Sequence, residues 1–209
     1  MTEEKGVPIA MKLRGFALAV ALLGMVGCAT YVHPTPTQSA YVLPGKTEGG
    51  ANIVIADTEL AKTASAHFGI AGFLFPVKVS CGEVVPKYLK ECLRRVFSNV
   101  SVNGDGKYDA IFDVKITEMD LSALTGKATV DLFVDGKFVD GQPLVHGEYT
   151  GTGSGHFPLY VTMYGEAFYD QQQEQMRTTI HQALTQLCNQ LIADVEDKVA
   201  AIPPKPVRP

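Results

Sequence analysis

From Tyr169 to Ala200 the chain carries one apolar stripe, and that stripe decides what the rest can fold into. Met176, Ile180, Leu184, Leu187, Cys188, Leu191, Val195 and Val199 recur at helical spacing, and Gln171, Gln172, Gln173 and Glu174 open the segment. A helix this long with one greasy side must lay that side on other apolar structure. Glu83 to Phe97 reads as a second helix. Val85, Tyr88, Leu89, Cys92, Leu93, Val96 and Phe97 form its apolar face, and Lys87, Lys90, Glu91, Arg94 and Arg95 form its polar one. Asn52 to Ala56 is a short β-branched run that reads as a first strand. Ala110 to Ile116, Lys127 to Val134 and Leu144 to Thr152 read as three more, joined by short turn signals and therefore antiparallel. These elements predict an α+β two-layer sandwich: a mostly antiparallel sheet of about four strands with two amphipathic helices on one face.

The N-terminus carries an address. Met11-Lys12-Leu13-Arg14 is basic, Gly15 to Gly24 is almost wholly apolar, and Met25-Val26-Gly27 leads into Cys28. A basic start, an apolar run too short to span a bilayer and a small residue before the cut describe a secretory signal peptide. Glu3 and Glu4 are acidic where such a leader is basic, so translation is read as beginning at Met11. The segment resembles the lipobox of bacterial lipoproteins, with Met25 in place of the usual Leu. That resemblance implies that Cys28 is lipidated, palmitate included, and becomes the mature N-terminus. Ala29 follows, and by the same resemblance the absence of Asp there implies the outer membrane, with the domain facing the periplasm.

The expected organisation is a signal peptide over 1–27, a lipidated cysteine with an extended Pro-rich tether over 28–50, one domain over 51–201, and a disordered Pro-rich tail over 202–209. Removing the leader takes three basic and two acidic residues from the 18 and 22 of the whole chain, which leaves a formal charge of −5. No block of Lys or Arg remains in the mature part, which argues against a nucleic-acid footprint. With Cys28 lipidated, Cys81, Cys92 and Cys188 remain. Cys92 and Cys188 fall on the two helical stripes, either as small core residues or as a helix-to-helix disulfide. Cys81 and Cys92 make a poor pair, because the helical rise between them holds them apart.

The order of leader, tether, strand, helix, three-strand meander and long C-terminal helix is similar to small outer-membrane lipoproteins of the YajG type. It is also similar to auxiliary lipoproteins of envelope lipid-transport systems. The likeness lies in layout rather than in a motif, so Cys28 alone is carried over as a functional residue. It implies a non-enzymatic protein.

The residues that invite chemistry each have a plainer reading. Asn103-Gly104-Asp105-Gly106-Lys107-Tyr108-Asp109 is similar to the middle of a calcium loop, but aligning Gly106 with the loop glycine puts Ser101 and Phe112 where acids belong. The segment reads as a turn. Gly151-Thr152-Gly153-Ser154-Gly155 lacks the spacing of a phosphate loop and reads as a strand end or bulge. His33, His67, His146, His156 and His181 are scattered without metal-ligand spacing and read as surface or turn histidines. Asp113 and Asp131 read as carboxylates on the solvent face of a sheet. No catalytic residues, metal or cofactor are expected.

Two apolar stretches remain. Phe68 to Phe75 is broken by Gly69 and Gly72 and reads as buried, and Phe157 to Tyr169 is rich in aromatics. Phe73, Phe75, Tyr160 and Tyr164 are the candidate partner patch. The expected function is a non-catalytic protein-binding, assembly or scaffolding factor, with an exposed apolar patch at 68–75 or 157–169. The alternative is an accessory lipoprotein of an envelope lipid or ABC-type transport system, which calls for an apolar cavity between helices and sheet. The expected partners are the membrane, through the lipid, and another envelope protein, with no nucleic acid.

Overall fold

The computed structural model describes residues 29–37, 47–66, 76–122, 125–155 and 166–200. Among the described residues, eight strands and three helices run in the order β1 (Thr30–Tyr31), β2 (Thr47–Ile55), α1 (Asp57–Leu60), β3 (Thr63–Ala66), β4 (Val77–Ser80), α2 (Cys81–Leu93), β5 (Phe97–Val102), β6 (Ala110–Ser122), β7 (Lys127–Phe138), β8 (Pro143–Ser154) and α3 (Glu166–Ala200). They build a five-stranded sheet of order β5-β2-β6-β7-β8 and a three-stranded sheet of order β1-β4-β3.

This corrects the expected sandwich built on one mostly antiparallel sheet of four strands with two helices. Both sheets are mixed, and three helices accompany them. The difference comes from β2, which lies between β5 and β6 in the large sheet and runs parallel to both. Antiparallel pairing holds in the β6-β7-β8 meander, as the alternation there predicts. The sequence predicts helix as far as Phe97, the residue at which β5 begins. Helix α2 stops at Leu93, and Phe97 begins a strand whose side chain packs edge-on against Phe112, ring centres 5.8 Å apart. The helix also starts at Cys81, two residues before the expected Glu83, so Pro86 lies beyond its first turn.

The meander buries alternate residues. Ala110, Phe112, Val114 and Ile116 of β6 point inward with Ala128, Val130, Leu132 and Val134 of β7, while Asp113 and Lys115 point out. A register shift at Ile116 resets the alternation so that Leu121 again faces the core. Met176, Ile180, Leu184, Leu187, Leu191 and Val195 of α3 pack on this face, as the stripe predicts. Beyond the end of β2, the peptide of Ile116 has no strand neighbour on that side. Glu59 Oε2 accepts from its N–H at 2.8 Å and Lys62 Nζ donates to its carbonyl, so an ion pair of α1 and its exit closes the ladder.

The connection from β5 to β6 is not the tight turn that its Asn-Gly and Asp-Gly pairs suggest. Parallel strands on either side of β2 require a crossover, and residues 103–109 cross the outer face of β2. Asn52 and Gly104 exchange two hydrogen bonds, at 3.0 and 3.1 Å. Asn103, at φ 48°, uses its side-chain amide as a further rung, accepting from Ile55 N–H and donating to Ile55 O. Asp109 Oδ2 accepts from Gly50 N–H at 2.8 Å.

The segment expected to be an extended tether also differs. Residues 30–37 lie against the domain. β1 pairs in parallel with β4, Val32 N–H donates to Lys78 O at 2.8 Å, and Val32 is fully buried. His33 Nδ1 meets Glu83 Oε2 at 2.9 Å. Strand β2 already begins at Thr47, inside the expected tether.

Candidate functional site

Helices α2 and α3 meet along a seam locked by a disulfide between Cys92 and Cys188, with Cα atoms 5.8 Å apart. Each cysteine sits on the buried stripe of its helix, so two stripes that both face the core bring the thiols together. Cys81, at the start of α2, is buried and free, its Sγ 3.4 Å from Met119 Sδ.

Beside the bridge lies a cleft of about 280 Å3, lined by Pro36, Thr37, Tyr88, Glu91, Arg95, His181 and Thr185 together with the two cysteines. Tyr88 stands one helical turn before Cys92. His181 and Thr185 stand two turns and one turn before Cys188. Helical spacing therefore puts these side chains on the edge of the seam that the cysteines mark. Tyr88 is buried, and its hydroxyl lies 2.7 Å from His181 Nδ1. Burial holds the Tyr88 phenol well above its ordinary pKa, so the hydroxyl keeps its proton. The other ring nitrogen, Nε2, lies 3.4 Å from Thr37 Oγ1. On the far side, Arg95 Nη1 donates to Asn189 Oδ1 at 3.0 Å.

The arrangement offers hydrogen-bond donors and acceptors along a polar-rimmed slot with a covalent floor.

The other sequence candidates fall elsewhere. Cys28, Phe73, Phe75, Tyr160 and Tyr164 lie outside the described residues, as do His67 and His156, the apolar stretch 68–75 and the tail 202–209. His146 is on the outer face of the large sheet, 3.0 Å from Asp135 and edge-on to Phe133. On the same face, Asp113 pairs with Lys137 at 3.5 Å and Asp131 accepts from Thr150 at 2.6 Å, so the two aspartates do not face each other. Around the suspected calcium loop, the amide of Asn103 and one oxygen of Asp109 are committed to the backbone of β2. The glycine-rich run belongs to β8, where α3 lies directly upon it. A methyl at Gly151 would overlap the carbonyl of Ala183, and one at Gly153 would overlap that of Thr179.

Sequence reasoning singled out neither Tyr88 nor His181 as a pair. The available signal was the cysteines: once they are taken as a bridge, the residues one and two turns before them must line the same seam.

No family model matches the chain, and no curated protein matches it either. Among solved structures it is similar to a Xanthomonas campestris protein of the family DUF330, at 11% identity over 79% of this chain and 90% of that one, with a TM-score of 0.46. It is also similar to a PelC dodecamer from Paraburkholderia phytofirmans, at 14% identity over 69% and 90%, TM-score 0.35. A third likeness is to a Caulobacter crescentus protein described as a candidate lipoprotein, at 14% identity over 65% and 90%, TM-score 0.27. At these identities and scores the likenesses carry no argument about what the chain does.

Proposed function

We propose that this chain is a lipid-anchored lipoprotein of the outer membrane, facing the periplasm, that binds another envelope protein without catalysing a reaction. The observation that carries the binding reading is the α2–α3 cleft. Two residues of the N-terminal segment, Pro36 and Thr37, form one wall of it, with Thr37 Oγ1 3.4 Å from His181 Nε2, and Glu91, Arg95, His181 and Thr185 form the rim. A slot walled by chain and rimmed by such polar side chains has the chemistry to take an extended segment of a partner. Export is supported by the lipobox-like run ending at Cys28. It is supported independently by the Cys92–Cys188 bridge, because such bridges persist in oxidising compartments.

An apolar-ligand carrier is less well supported. That role needs a cavity between helix and sheet, whereas the backbone of α3 rests on Gly151 and Gly153 with no space for even a methyl group.

A photo-reactive residue at Thr185 tests the reading in intact cells. It should give a discrete adduct with an envelope protein, while the same residue at Thr129, on the outer face of β7, should give none. The Thr185 adduct should disappear in Cys28→Ser, which mislocalises the protein. No adduct at Thr185, or equal adducts at both positions, would contradict it.

A further inference from the structure

The distance from the anchor to the folded domain is set by where hydrogen bonding begins. Thr30 N–H donates to Pro76 O at 3.2 Å, and β1 pairs with β4 from that residue onward. Only Ala29 lies between Cys28 and Thr30. Two peptide units reach at most about 7 Å. A free linker running from Cys28 to β2, of the kind the prolines and glycines suggest, would instead wander over roughly 25 Å. The remaining N-terminal residues hold the strand in place: Val32 is fully buried, Pro34 is buried, and His33 meets Glu83.

We propose that the end of the three-stranded sheet around Thr30 rests on the lipid headgroups of the leaflet that holds Cys28, so that the domain is oriented on the membrane rather than tethered to it. This rests on the lipidation of Cys28 proposed above. Tyr31, 49% exposed, stands on the exposed side of that end in register with Lys78, which pairs in turn with Ser65. A phenol at the depth of the headgroups has its ring in the apolar boundary and its hydroxyl in water, and an ammonium beside it meets lipid phosphate. Tyr31 therefore lies within about 10 Å of the acylated residue, with Lys78 and Ser65 one and two strands further across, and the three present the amphipathic chemistry a lipid surface takes.

The chain has no tryptophan, so Tyr31→Trp creates a single emitter at this position. The lipidated protein carrying it is reconstituted into phosphatidylethanolamine–phosphatidylglycerol vesicles containing a headgroup-nitroxide lipid. At least a twofold loss of Trp emission is expected. The same protein with twelve Gly/Ser residues inserted between Ala29 and Thr30 should still float with the vesicles and melt unchanged, but lose most of that quenching. A protein that floats with the vesicles and is not quenched would overturn the proposal. Equal quenching with and without the insertion would overturn it as well, because the short link would then not be what holds this end down. Failure of the uninserted protein to float would overturn the lipidation reading itself, and with it this one.

Discussion

Gly153 lies directly beneath the carbonyl of Thr179, and one helical turn further on Gly151 lies beneath that of Ala183. Helix backbone thus rests on strand backbone, with no side chain between them. Thr179 is fully buried at this contact and its hydroxyl is satisfied by Gln175 O at 2.8 Å. Flanking the glycines, Gln186 Oε1 accepts from Thr152 N–H at 2.8 Å and Gln182 Oε1 from Ser154 N–H at 3.3 Å, so α3 also closes the outer edge of β8.

A methyl at Gly153 cannot be absorbed by rotating a side chain, because what it meets is a carbonyl. Gly153→Ala should cost about 3 kcal/mol, the upper part of the range for overpacking. Gly147→Ala, on the same strand with open space around it, should stay within about 0.5 kcal/mol of wild type. Urea denaturation of the two variants separates them.

The bridge closes a loop with a sequence separation of 96 between two helices that also pack on the sheet. Replacing both cysteines, C92A/C188A, should lower stability by about 4 kcal/mol, chiefly by freeing the unfolded chain. The fold should survive in outline at low temperature, with the denaturation midpoint reporting the loss.

Glu59 sets an acid limit. Its carboxyl is held below the ordinary glutamate value first by the hydrogen bond from Lys62; burial opposes this, and the Ile116 N–H and the nearby lysine charges add smaller lowering contributions. A depressed folded pKa means that the native state binds fewer protons than the unfolded chain. Its stabilisation is full above the usual carboxylate range and is lost as pH falls through the lowered value. Glu59→Gln should therefore cost about 1 kcal/mol at pH 7, the partly exposed Lys62 limiting the effect. The gap between the variant and wild type should close on acidification. Melting curves from pH 7 to pH 2.5 follow it.

The parts of this fold visible in the sequence are those with a period. The meander alternates and α3 repeats its stripe, which makes Lys127–Phe138, Pro143–Ser154 and Glu166–Ala200 legible to within a few residues. β6, by contrast, runs on to Ser122, beyond the expected Ile116, through the register shift that breaks its alternation. β5 has no such signal. Its run Phe-Ser-Asn-Val-Ser-Val is half polar because an edge strand leaves one side in water. The placing of β2 between β5 and β6 has no local signal either, since it depends on Asn52 and Asn103 holding a crossover that local propensity reads as a turn. The cleft was hidden for a related reason. Tyr88 and His181 are 93 residues apart and meet only because the cysteine stripes bring their helices together.

Mass spectrometry of the native protein extracted from its envelope tests the central claim most directly. The account predicts a mature N-terminus at Cys28 carrying a diacylglyceryl group and an amide-linked acyl chain, with Cys92 and Cys188 bridged and Cys81 a free thiol. A peptide that runs unmodified through Gly27-Cys28-Ala29, or Cys92 and Cys188 recovered as thiols, would contradict it.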